Sequence, residues 1–272
     1  MNDYRIIAST GTFVGRANGY DYTKMAELKD EIKCDGFEFM TMNSWYGEED
    51  KIVSLMKENG VIFPTLHTDK NIGVYMEQGN KEEALKTLKS NLNLAERLGA
   101  EKVVVHLWSG SLDETNKTDI LKTATEMTRM GEDFGILVTI ENIPSLLYSP
   151  LSLWKEMLEY NPDIKLTFDT RFATYFGEYM DIFASECWKN VEHIHISAFD
   201  KNVDRTARII RPILHPGEGI PDFDHLFSNM PKYRGTITLE SPVLAQDGTL
   251  NIEKLNKSLD YLREKTELYK KA

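Results

Sequence analysis

Val138-Thr139-Ile140-Glu141, Leu166-Thr167-Phe168-Asp169, His193-Ile194-His195 and Thr236-Ile237-Thr238-Leu239-Glu240 are the stretches that decide how this chain folds. Each is a short apolar run that reads as a buried strand. Each also ends in a residue type that binds metals. A parallel barrel builds its active site at the C-terminal ends of its strands, where Glu141, Asp169, His195 and Glu240 all fall. With a side-chain period of two, ordinary packing would put apolar residues on the inward positions. Three carboxylates brought together repel one another unless a cation or shared protons compensate. The natural compensator for such mixed oxygen and nitrogen ligands is one divalent ion of the Mn²⁺, Co²⁺, Zn²⁺ or Fe²⁺ type. The competing reading is an internal polar network that holds the barrel together.

Working outward, strand patterns also cover Arg5–Ser9, Gly36–Met40, Val61–His67 and Lys102–His106. The remaining four are Leu137–Glu141, Lys165–Asp169, Glu192–Ile196 and Gly235–Glu240. Amphipathic helices separate them. Over Asn80–Leu98, Ala84, Leu85, Leu88, Leu92, Ala95 and Leu98 form one stripe, followed by a capping glycine at Gly99. This alternation predicts the α/β class, as a single (β/α)8 TIM barrel spanning residues 1–272 as one domain.

Composition narrows the function classes. A chain of 272 residues with 41% hydrophobic and 28% charged residues suits a globular protein of this size. No segment is apolar enough to span a membrane, and the N-terminus lacks the pattern of a secretory signal. Cys34 and Cys187 have no CxxC spacing, so a cytoplasmic location is expected. A net charge of −11 argues against a nucleic-acid partner. A homo-oligomer is compatible with these features.

His67 and His106 end the third and fourth strand patterns, where substrate contact is expected. Trp108 and Phe13 are candidate apolar walls of a sugar site, with loop packing as the alternative. His193 shares the inward phase of His195 and reads as a core hydrogen-bonding residue, and Glu38 reads as a structural partner. From Ala198 to Pro221 the chain is aperiodic and carries Arg205, Arg208 and Arg211. A loop of this length is expected to act as a lid over the mouth. Its arginines suit a phosphate or carboxylate, or else a solvated or subunit surface.

Taken together these residues resemble the xylose-isomerase-like TIM-barrel superfamily, which holds sugar and sugar-phosphate isomerases and epimerases and the endonuclease-IV-type enzymes. The resemblance rests on Glu141-Asn142, Phe168-Asp169-Thr170, His193-Ile194-His195, Pro216-Gly217-Glu218-Gly219 with Asp222-Phe223, and Leu239-Glu240. It implies one divalent metal held by Glu141, Asp169, His195 and Glu240. It also implies an isomerase or epimerase of a small sugar or sugar phosphate. Glu141 and Glu240 would then move a proton next to a carbonyl through a metal-stabilised enediolate. His67, His106, Trp108, Arg205 and Arg211 would contact that substrate. An inosose-type dehydratase would use the same step, and a phosphodiesterase of the endonuclease type is the more distant alternative. The sequence departs from the family at Phe172, where a histidine is common, and at Arg211 and Ile213, where the endonucleases carry an Asp-x-His pair. His67 and His106 match by position the histidines that hold a further zinc in those endonucleases.

Overall fold

The computed structural model describes residues 4–203 and 210–269. In chain order the strands are β1 (Tyr4–Ser9), β2 (Phe37–Met40), β3 (Thr65–His67), β4 (Lys102–Val105) and β5 (Leu137–Glu141). There follow β6 (Lys165–Asp169), β7 (Val191–Ile196), β8 (Ala198–Phe199), β9 (Ile213–Leu214) and β10 (Gly235–Leu239). Eight of them close a barrel in the order β1-β10-β7-β6-β5-β4-β3-β2, and every neighbouring pair is parallel. This is the expected (β/α)8 barrel.

The barrel interior explains the strand sequences. Apolar residues of the quoted runs (Val138, Ile140, Leu166, Phe168, Ile194, Ile237 and Leu239) join the hydrophobic core with the surrounding helices. The alternate positions point inward and bond to those of the neighbouring strands. Thr167 Oγ1 donates to Thr139 Oγ1 at 2.7 Å, and Thr238 Oγ1 lies 3.0 Å from His193 Nε2. The period of two is thus read with its polar half inward, an inversion of the usual apolar filling of such barrels.

Local signals set the boundaries. The helix Lys81–Leu98 starts where the Asn80 side chain accepts from the Glu83 amide and stops at Gly99, whose φ of 78° suits glycine. Two expectations need correction. β3 begins at Thr65, not Val61, because Pro64 has no amide hydrogen to give the ladder. The stretch expected as an aperiodic loop carries an antiparallel ribbon, with Ala198 opposite Leu214 and Phe199 opposite Ile213. Two-residue strands are too short to leave an alternation in the sequence. Among the described residues, no helix is long and apolar enough to cross a membrane.

At the opposite end of the barrel, Lys102 is buried and its ammonium donates to the Glu192 carbonyl at 2.5 Å. Burial pushes its pKa down to about 8 from 10.5, against the pull of the Glu192 and Glu101 carboxylates. The charged lysine is therefore a cost, because the unfolded chain holds the proton more tightly. That cost, about 3 kcal/mol at most, is complete below pH 8 and fades as pH rises towards 10.5. Lys102→Met should accordingly raise the melting temperature by a few degrees at pH 7, with the gain shrinking above pH 8. A loss of stability at pH 7 would mean that the bond to Glu192 outweighs the desolvation.

Candidate metal centre and substrate mouth

Asp169 ends β6 and caps the helix Thr170–Phe176 that follows at once. Its Oδ1 accepts from the Phe172 amide at 2.8 Å, while buried Oδ2 has no hydrogen-bond partner. Asn142 pins this strand end from β5. Its Oδ1 accepts from the Asp169 amide at 2.6 Å, and its Nδ2 donates to the Asp169 carbonyl at 3.1 Å. The Glu141-Asn142 pair therefore divides its work: the glutamate enters the lumen and the asparagine fixes its neighbour.

His195 stands in register with Asp169. Its Nδ1 lies 2.9 Å from Glu141 Oε1 and 3.5 Å from Glu240 Oε1, while its Nε2 is 3.2 Å from Glu38 Oε2. Glu38 also meets His193 Nε2 at 2.9 Å. Glu240 follows β10 directly, its amide donating to the Ile196 carbonyl. Glu141, Asp169, His195 and Glu240 each offer a ligand atom, and these atoms all lie within 4.8 Å of one another. A second set with the same closeness, His67, His106 and Glu141, shares the glutamate. His67 Nδ1 lies 3.0 Å from the Thr68 carbonyl, to which it donates, and its Nε2 faces His106 Nε2 at 3.1 Å. His106 Nε2 is 2.5 Å from Glu141 Oε2 but off the hydrogen-bond direction, so that buried oxygen also lacks a proper partner. Glu38, His193 and His195 form a third set, deeper in the lumen.

The electrostatics carry the mark of crowded carboxylates. Burial pushes Asp169 up to about 7; Arg171 opposes this, and Glu141 and Glu240 add to it. Burial also acts against the charge on Glu141, yet His106 and His195 hold its pKa well below the usual carboxylate range. His195 is raised well above its ordinary value, because Glu240, Glu38 and Glu141 outweigh its desolvation. Burial drives His106 down to about 4 and His193 to about 3, so both are neutral at physiological pH. Two oxygens without partners, aimed among ligand atoms on four strand ends, fit a divalent cation.

Two cavities flank this centre. One, of roughly 680 Å³, is bordered by Glu240, Arg171, Arg211, Lys70, Ser9 and Asn43. The other, of roughly 550 Å³, is bordered by His106, and Lys70 edges both. The structure thus brings His106, Glu240 and Arg211 to the mouth. His67 is buried just below it, 3.6 Å from Glu141 Oε2. Arg205 and Arg208 lie outside the described residues. Trp108 requires a correction: it is wholly buried, its indole N–H donates to the Ile143 carbonyl at 2.9 Å, and it borders neither cavity. Phe13 is likewise core, packed edge-on to Phe37. Sequence reasoning missed Arg171 and Lys70, although each has a positional signal, two residues past Asp169 and three past His67. Arg171 is held by Ser197, to whose Oγ its Nε donates at 3.1 Å, with Nη2 3.8 Å from Asp169 Oδ2.

Several proteins of known structure share this fold. A D-tagatose 3-epimerase-like protein of known structure is 20% identical, with a TM-score of 0.72 over 97% of this chain and 98% of its own. The D-allulose 3-epimerase of Methylomonas sp., solved with D-allulose, is 15% identical, with a TM-score of 0.70 over 96% and 97%. The IOLI protein, solved with a zinc atom, is 14% identical, with a TM-score of 0.71 over 97% of each chain. No curated protein matches the chain at the sequence level. The profile of one family, described as xylose isomerase-like TIM barrel, matches residues 26–265. With that match over most of its length, the chain belongs to the xylose isomerase-like TIM-barrel family.

Proposed function

We propose that the protein is a divalent-metal-dependent isomerase or epimerase of a small sugar or sugar derivative. The observation that carries the reading is the convergence of Glu141, Asp169, His195 and Glu240, with Asp169 Oδ2 and Glu141 Oε2 left without hydrogen-bond partners. Similarity in fold to proteins named as ketose 3-epimerases supports the substrate class. When bound by these four residues, a divalent cation supplies the positive charge that offsets negative charge growing on a carbonyl oxygen.

The chain's own residues account for the rest. Glu141 is held ionised beside His195, as a proton acceptor must be. Glu240 comes from the end of β10, three strands round the barrel from β5, and borders the larger of the two cavities, where it can return a proton to the other face. Glu38 near His195 Nε2 accepts that ring's hydrogen, so Nδ1 is presented towards the ligand cluster. Arg211, Arg171 and Lys70 line the cavity beside Glu240 and suit hydroxyls or an anionic group.

The test is solvent exchange. Metal-loaded protein incubated with ketoses, ketose phosphates and inososes in deuterated water should incorporate deuterium next to the carbonyl of at least one. Cleavage of abasic DNA without any such exchange would move the reading to a phosphodiesterase. Arg211→Ala should raise KM for that substrate about tenfold with little change in kcat. An unchanged KM would make Arg211 a surface residue.

A further inference from the structure

The floor of the barrel, far from the metal centre, holds a buried amine in a cavity of its own. Lys102 opens β4 and shares the inward phase of Val104, while Val103 and Val105 join the hydrophobic core. Its side chain crosses the lumen to the Glu192 carbonyl on β7, three strands round the barrel. Lys102 is 8% exposed, and that carbonyl is its one hydrogen-bond partner among the described residues. An ammonium has three hydrogens to place, so this one is poorly satisfied. A cavity of roughly 520 Å³ lies against Lys102, bordered also by Arg5, Asp35, Glu101 and Thr236. Both carboxylates there are already paired, Glu101 with Arg5 at 3.3 Å and Asp35 with Arg263 at 2.9 Å. Lys102 is thus the cation of this cavity that no carboxylate pairs with.

We propose that Lys102 is a site of enzyme-free acylation by small acyl phosphates, which reach its amine through this cavity. The neutral amine attacks the acyl carbon, and the carbon–oxygen bond to phosphate breaks. Phosphate leaves with the electron pair, the nitrogen gives up one proton, and no oxidant or reductant is consumed. Burial lowers the Lys102 pKa to about 8, so about a quarter of the amine is neutral at pH 7.5, against about 0.1% of an ordinary lysine. A less basic nucleophile is also a weaker one, which cuts the net advantage to about tenfold. The half-exposed guanidinium of Arg5 faces the same cavity and suits the phosphate of the reagent. The product is favoured as well. A secondary amide keeps one N–H for the Glu192 carbonyl and removes the charge whose burial costs stability.

The experiment exposes the folded full chain briefly to acetyl phosphate at pH 7.5 and reads each lysine by peptide mass spectrometry. Lys102 should be acetylated about tenfold faster than the exposed Lys51 and Lys86. Its rate should level off above pH 8, whereas that of Lys51, whose pKa the Glu48 carboxylate raises, should keep climbing. Unfolding the chain in urea should abolish the difference. Arg5→Gln should slow acetylation of Lys102 several-fold with acetyl phosphate and leave the rate with p-nitrophenyl acetate, an uncharged acyl donor, unchanged. Protein acetylated at Lys102 should melt a few degrees higher at pH 7 than the unmodified chain. Several results overturn the proposal. They are a Lys102 rate no greater than that of the exposed lysines, acetylation that appears only on unfolding, or a lower melting temperature after modification. Preference for Lys102 with the uncharged ester but not with acetyl phosphate, or an Arg5→Gln variant as fast as wild type with acetyl phosphate, also overturns it, since the acyl phosphate assignment then fails.

Discussion

Glu141→Gln and Glu240→Gln are each expected to lower kcat by about 10²–10⁴-fold, the usual contribution of a well-placed general base or acid. Glutamine keeps the shape and one potential ligand oxygen but cannot accept the proton. Weaker metal binding would enlarge the loss. The two variants should differ in a way that assigns the roles. Glu141 is buried between two histidines, whereas Glu240 faces the open cavity. If Glu141 removes the proton, Glu240→Gln will still exchange substrate hydrogen with solvent from one face while failing to epimerise. Glu141→Gln will then exchange nothing. Wild-type turnover in both metal-loaded variants would refute a two-glutamate mechanism.

The second large effect is expected at Asp169→Asn. The wild-type aspartate offers an oxygen with no hydrogen-bond partner, and burial with two neighbouring carboxylates raises its pKa to about 7. Both features are what the proposed metal site requires of a ligand. Asparagine preserves size and the N-terminal cap to Phe172 but removes the charge. Metal affinity should fall by at least about tenfold. At a metal concentration 100 times the wild-type Kd, the ion should stabilise the wild type by about 2.7 kcal/mol and the variant by far less. Without metal the variant should be the more stable of the two, since a repulsive buried charge is gone. Thermal melts with and without Mn²⁺ or Zn²⁺ read both outcomes. Equal stabilisation of the two proteins would exclude Asp169 as a ligand.

The barrel was legible because β5, β6, β7 and β10 carry β-branched residues and place a ligand-type residue at or next to their C-terminal ends. Thr139 and Glu141, Thr167 and Asp169, and His193 and His195 repeat the same inward spacing on neighbouring strands. Long-range pairing was not legible. Glu38 lies far from His193 and His195 in sequence, and only barrel closure brings the three into one buried cluster. Trp108 failed as a pocket wall for a related reason. Its position just past β4 is shared by pocket and packing residues alike, and its indole hydrogen bond to Ile143 decides between them. The two-lobed mouth was out of reach as well, because its lining comes from the segments after β1, β2, β3, β4, β5, β6 and β10 and from the chain leading into β9. The polar lobe's Lys70 and Arg171 carry only positional signals, and β8 and β9 are too short for periodicity.

The central claim is that four strand ends hold a metal ion. Its most direct test is elemental analysis of the purified full-length protein, with calorimetric titration of the metal-stripped form. The account predicts about one Mn²⁺, Co²⁺, Zn²⁺ or Fe²⁺ per chain, rebinding to the stripped wild type and lost or weakened together in the Glu141, Asp169, His195 and Glu240 variants. Protein that carries no metal, takes none up on titration and gains no thermal stability from any of these ions would contradict it.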